Sequence, residues 1–213
     1  MEASDAAEHI VEASEGEGRA EDEKFRSRTA LTIAFMAMLL AITSLGGGNA
    51  AEDIMNNNIH ASDTWAFYQA KSIRQTSNRL AAESLEAELL LHQNSLTPEA
   101  RQEVQRKIDK FKETADRYES EPSKEEPNNP LKGEGRKQLS LRAADFEAQR
   151  DRAQRQDPNF DFAEALFQIA IVLASVAILA MSRLIFKVSL GVGMLAFLLM
   201  LNGYFLFIKE LPI

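Results

Sequence analysis

Glu88 and His92 stand four residues apart, the spacing that puts a carboxylate and an imidazole on one helix face where they could share a metal ion. Two ligands are the most such a pair supplies. His60 lies far upstream, and the Glu-x-x-His pairs of carboxylate-bridged di-iron bundles are missing. With three histidines and no cysteine, the chain has no thiolate zinc site, iron–sulfur cluster, disulfide or cysteine nucleophile. No phosphate-cradling Gly-rich loop, dinucleotide fingerprint, Gly-x-Ser-x-Gly elbow or H-E-x-x-H helix occurs. The expectation is a protein that is not an enzyme, with no catalytic, cofactor-binding or metal-binding residue. A net charge of −8, from 32 acidic and 24 basic side chains, argues against a general nucleic-acid binder, because phosphate contacts need clustered cations. The most distinctive segment is Asp63-Thr64-Trp65-Ala66-Phe67-Tyr68-Gln69-Ala70-Lys71-Ser72-Ile73-Arg74, which holds the only Trp. Trp65, Phe67 and Tyr68 could form an aromatic belt at a membrane interface, cap a helical bundle, or present a partner site.

The 213 residues are strongly partitioned. Thr29–Leu45 gives 17 uncharged residues, Ala165–Ser182 gives 18 and Val188–Ile208 gives 21. The shortest spans about 26 Å as a helix, the lower limit for crossing a bilayer. Reading 165–208 as one helix would bury Arg183 and Lys187 at mid-bilayer, so a helical hairpin bending between Arg183 and Lys187 is the better account. A cleaved signal peptide is the alternative for the first segment, since Lys24, Arg26 and Arg28 precede it and Gly48-Asn49-Ala50 follows. Nine acids before Thr29 fit that poorly. Basic residues set the orientation. Arg19, Lys24, Arg26 and Arg28 lie before the first span and none lies in the twenty residues after it, so the N-terminus is expected in the cytoplasm. The middle region and the C-terminus are then expected outside, in the periplasm of a bacterial inner membrane.

Residues 1–28 read as an acidic mobile tail. Gly46-Gly47-Gly48-Asn49 permits a hinge after the first span. From Asp63 to Leu91 there is neither Gly nor Pro, and Ala66, Ala70, Ile73, Ser77, Leu80, Ser84, Ala87 and Leu91 follow steps of four and three, the period of a coiled-coil seam. Thr97-Pro98-Glu99 reads as a helix start, followed by a second seam of Val104, Ile108, Phe111, Ala115 and Tyr118. Three prolines and two glycines between 120 and 135 predict a loop. A last amphipathic helix carries Leu139, Ala143, Phe146 and Ala153, with a joint expected at Asp157-Pro158-Asn159, although Phe160 and Phe167 continue the seven-residue step. Within the spans, Ala34, Ala37, Ala41 and Ser44 form a small-residue stripe suited to close helix packing, as do Ala170 with Ala174 and Ser189 with Gly193. Gln168, Ser175 and Asn202 are the notable polar groups there, expected to bond neighbouring helices.

The fold class is therefore an all-α membrane protein. It has an N-terminal transmembrane helix (29–45), an extramembrane antiparallel coiled-coil-like helical region (46–160) and a transmembrane hairpin (161–183 and 187–209). The DTWAFYQAKSIR segment after the first span, the charged helical hairpin and the closing pair of spans together resemble the bacterial membrane proteins of domain-of-unknown-function family 4337. What the resemblance implies is this topology and an unassigned activity. The functional expectation is a self-associating structural or scaffolding protein, or else an oligomeric pore or transporter accessory subunit. Its partners would be the lipid bilayer and further copies of itself. Ala34, Ala37, Ala41, Ile73, Leu80, Val104, Ile108 and Phe111 are the expected oligomer or helix-packing residues.

Overall fold

The computed structural model describes residues 2–92 and 94–208, with side chains from Glu21 onward. Among the described residues the chain is all-α, folding into α1 (Glu2–Leu91), α2 (Pro98–Glu119), α3 (Arg136–Leu179) and α4 (Arg183–Phe205), with no strand. These divide into two compact units. The first holds α1 up to Glu52, α3 from Arg152, and α4; the second is Asp53–Asp151.

Each helix of the first unit contains a stretch long and apolar enough to cross a membrane, with mean hydropathies of 1.9, 2.2 and 2.3. Their inner faces meet in a core of Met36, Leu39, Ala163, Phe167, Ala170, Ala196 and Met200. Small residues let the backbones close in: a Cβ on Gly193 would lie 2.5 Å from Met36 Cε, and the buried Ser189 hydroxyl donates to the Ala170 carbonyl at 2.7 Å. In the second unit α2 starts as its sequence dictates. Thr97 accepts from the Ala100 amide at 3.3 Å, and Pro98 fills the first helical position, where a missing N–H costs nothing. The loop from Ser120 to Gly135 is pinned by Arg142, which donates to the Leu131 and Gly133 carbonyls at 2.8 and 2.7 Å.

Several boundaries differ from those the sequence suggests. Of the expected mobile tail, Glu21–Arg28 are helical and anchored, because the Phe25 ring meets Phe186 edge-on at 5.7 Å. The backbone of residues 2–20 is also helical; their side chains, and Met1, lie outside the described residues. The glycine run is not a hinge. Gly46 is buried, and a Cβ there would stand 2.7 Å from the Phe160 ring, so its service is close approach. Pro158 does not break α3 either. An interior proline costs about 3 kcal/mol. Here the next residue, Asn159, donates its side-chain amide to the Arg155 carbonyl at 2.8 Å, and Phe160 beyond it is buried. Finally, the bend between α3 and α4 falls at Ala180–Ser182, ahead of the expected Arg183–Lys187. Met181 takes the left-handed conformation (φ 50°), the Ser182 amide reaches back to the Ala177 carbonyl at 3.0 Å, and Ser182 caps α4.

Candidate functional site

The densest chemistry lies in the second unit, where α1 meets the end of α2 and the start of α3. Lys71 is 5% exposed, and its ammonium sits between the rings of Phe67 and Tyr118, 5.4 and 5.3 Å from their centroids. It is paired with Glu121 at 3.3 Å and Glu134 at 3.5 Å. One turn on, the buried Gln75 amide donates to the Ala115 carbonyl at 3.1 Å and to Glu119 at 2.9 Å. Gln75 Oε1 accepts from Arg136 Nη1. The Arg136 guanidinium lies over the Tyr68 ring at 4.9 Å, donates to the Tyr68 hydroxyl at 2.8 Å and pairs with Glu119 at 3.0 Å. The Gln75 hydrogen bond, ahead of the charge of Arg136, holds the Glu119 carboxyl below its ordinary value. Trp65 stands edge-on to Tyr68 at 5.4 Å and donates from Nε1 to Glu147 at 2.9 Å. The aromatic triplet thus joins a polar network linking α1, α2 and α3. Cations held by rings and carboxylates at fixed stagger specify one helix register.

The two heptad seams fall on different sides. On α2, Ile108 and Ala115 are buried, with Val104, Phe111 and Tyr118 half-buried, so the second seam packs inward. On α1 the inward positions are Ala61, Tyr68, Gln75, Ala82 and Leu89, with Thr64, Lys71, Asn78 and Leu85 between them, an unbroken alternation of three and four. All eight residues of the seam read from the sequence, Ala66 through Leu91, are exposed on the opposite face. Ile73 is 69% and Leu80 57% exposed. Sequence reasoning missed the inner row because most of its members are polar. Its signal was the same seven-residue step, carried by Tyr68, Gln75 and Lys71 in place of leucines.

In the first unit Ala34, Ala37 and Ala41 are exposed as well, and do not face α3 or α4. The packed small residues are Ala170, Ala174, Ser189 and Gly193. Asn202 bonds across to Asn159 at 2.7 Å, whereas Gln168 and Ser175 are exposed and bond within their own helix. Glu88 and His92 line a cavity of about 250 Å³ with Ser95 and Val104. His60 is instead stacked on Phe146 at 5.2 Å. Among the described residues no three histidine, aspartate or glutamate side chains gather as metal ligands would.

The family model described as "Domain of unknown function (DUF4337)" matches residues 25–206, most of the chain. Comparison with curated proteins and with solved structures returns no match.

Proposed function

The chain belongs to the DUF4337 family, and from that premise we propose that it is an integral membrane scaffold whose copies associate through the outer face of α1. The observation that carries this reading is the uncovered seam. Eight uncharged residues in heptad spacing, from Ala66 to Leu91, are left exposed by the chain's own α2 and α3. Ile73 and Leu80 alternate there with Ser77 and Ser84, so large side chains of one copy find small ones on another. A row with helical period and no charge matches a second helix of the same kind better than it matches water.

In this reading the three apolar helices of the first unit cross a cell membrane. Its basic residues support the orientation. Lys24, Arg26 and Arg28 of α1 stand at the end where Glu21 pairs with Arg183 at 2.8 Å, so they join Arg183 and Lys187 at the start of α4. Positive ends stay in the cytoplasm. The N-terminus and the α3–α4 bend are then cytoplasmic, and residues 53–151 lie across the membrane.

The test is the mass of the purified chain in detergent and in nanodiscs, by light scattering and native mass spectrometry over a hundredfold dilution. A defined oligomer that dissociates on dilution is expected. A monomer throughout both series would refute the reading.

A further inference from the structure

The groove between α1 and α4 in the first unit changes character along its length. At the bend end it is a cavity of about 480 Å³ whose cations come from both helices: Lys24 and Arg28 from α1, Arg183 and Lys187 from α4. Among the described residues only one carboxylate lines it, Glu21, already paired with Arg183. The N-terminus of α4 opens here with no acidic residue in its first turn, so its partial positive charge adds to the cations where an acid would ordinarily offset it. Among the described residues Lys24, Arg28 and Lys187 have no ion-pair partner. Phe25 and Phe186 form an apolar wall to the same cavity.

Two turns further along the same pair of helices, a second cavity of about 230 Å³ is lined almost wholly by apolar groups, with Phe35 and Leu39 on α1, Leu190 and Met194 on α4, and Phe167 as its floor. Met36 and Gly193 also line it, the Met36 methyl filling the space a Gly193 side chain would take. From Arg28 to Met36, and from Lys187 to Met194, the rise is about 10–12 Å, within the roughly 15 Å depth of one leaflet's hydrocarbon.

We propose that this groove holds an anionic phospholipid, its phosphate among Lys24, Arg28, Arg183 and Lys187 and one acyl chain in the apolar cavity beyond. Charge and apolarity occur in one groove, in the order and at the separation of a lipid's head and tail. Basic pockets between membrane helices on the cytoplasmic side recognise anionic head groups in this way.

The experiment titrates the full detergent-solubilised chain with phosphatidylglycerol and, separately, phosphatidylcholine, and counts bound lipid by native mass spectrometry. Phosphatidylglycerol should bind at least tenfold more tightly. Each cation removed should cost about fivefold, so Lys187→Gln alone gives a measurable loss and Lys24→Gln/Arg28→Gln/Lys187→Gln abolishes the preference, with helicity unchanged. Leu190→Trp/Met194→Trp, which fills the apolar cavity, should weaken both lipids about equally. Inorganic phosphate at 10 mM should displace neither. Undiminished phosphatidylglycerol binding by the cation variants, or indifference to the tryptophans, overturns the site. Displacement by inorganic phosphate makes it a free-anion site and equally overturns the lipid.

Discussion

Replacing Ile73 and Leu80 together by lysine strikes the outer face of α1 while leaving the chain's own packing alone. Full burial of such a side chain is worth about 1.5–3 kcal/mol. With 69% and 57% of their surfaces uncovered, burial against a partner still has about 1–2 kcal/mol to give at each. In a pair of copies four such side chains contribute about 4–8 kcal/mol, and losing them weakens association by about three orders of magnitude or more. Apposed lysine charges only add to the loss. Both positions are helical and solvent-facing, and lysine is a good helix former, so the variant should keep its helicity and stability to within about 0.5 kcal/mol. The assay is light-scattering mass across the same dilution series, with circular dichroism on each sample. A variant that keeps the wild-type mass at every concentration refutes the seam; one that loses helicity shows that the face is buried within the chain.

Gly46→Ala should destabilise the protein by about 1–3 kcal/mol, since its Cβ would meet the Phe160 ring at 2.7 Å. Gly48→Ala, with nothing within 4 Å, should stabilise by about 0.5–1 kcal/mol, and thermal unfolding in detergent reads both signs. Arg136→Met strands the buried Gln75 carbonyl and the Tyr68 hydroxyl and should cost about 2–4 kcal/mol, whereas Lys71→Met leaves only the partly exposed Glu121 and Glu134, which can hydrate, and should change stability by less than about 1 kcal/mol. Glu119 is held below its ordinary value of 4.5, so its contribution is present above that pH and is lost as the pH falls through the lower folded value; Glu119→Gln should flatten this acid-side decline in a pH series of melts.

How much of this was legible in the sequence depends on where each signal is local. Thr97-Pro98 and the Pro/Gly-rich stretch between 120 and 135 declare their own structure, so the ends of α2 and the start of α3 are read directly. The family resemblance rested on similar local marks. Packing overrode propensity at Gly46, where the Phe160 ring closes in from another helix and is not visible in a sequence window around the glycine, and at Pro158, where the buried Asn159 and Phe160 that follow it keep α3 continuous. The bend at Met181 has no Gly to announce it, and Ser182 as the cap of α4 was its only mark. In the polar network Trp65 and Tyr68 stood out by type. Arg136 and Glu119 did not, because Arg136 reaches Tyr68 and Gln75 from 68 and 61 residues away.

The two faces of α1 in the second unit are arranged oppositely to what an isolated helical bundle would favour. Inside are Lys71, Gln75, Thr64 and Asn78; outside, at the same period, are Ile73, Leu80 and Leu91. Exchanging the two rows would return Lys71, Gln75, Thr64 and Asn78 to water and cover Ile73, Leu80 and Leu91, although it would also uncover Tyr68, Leu85 and Leu89. A buried polar row makes sense where register matters more than stability. Sliding α1 by one heptad past α2 and α3 would take Lys71 from both its carboxylates and Gln75 from Ala115, so only one stagger satisfies the network. A fixed stagger in turn presents Ile73, Leu80 and Ala87 in a row seven residues apart, with Leu91 half a heptad beyond. That row contributes little to the folding of a lone chain, and its spacing gains a use when another helix of matching period lies against it. The polar interior and the apolar exterior of α1 are thus parts of one arrangement, in which the inner row sets the geometry that the outer row presents.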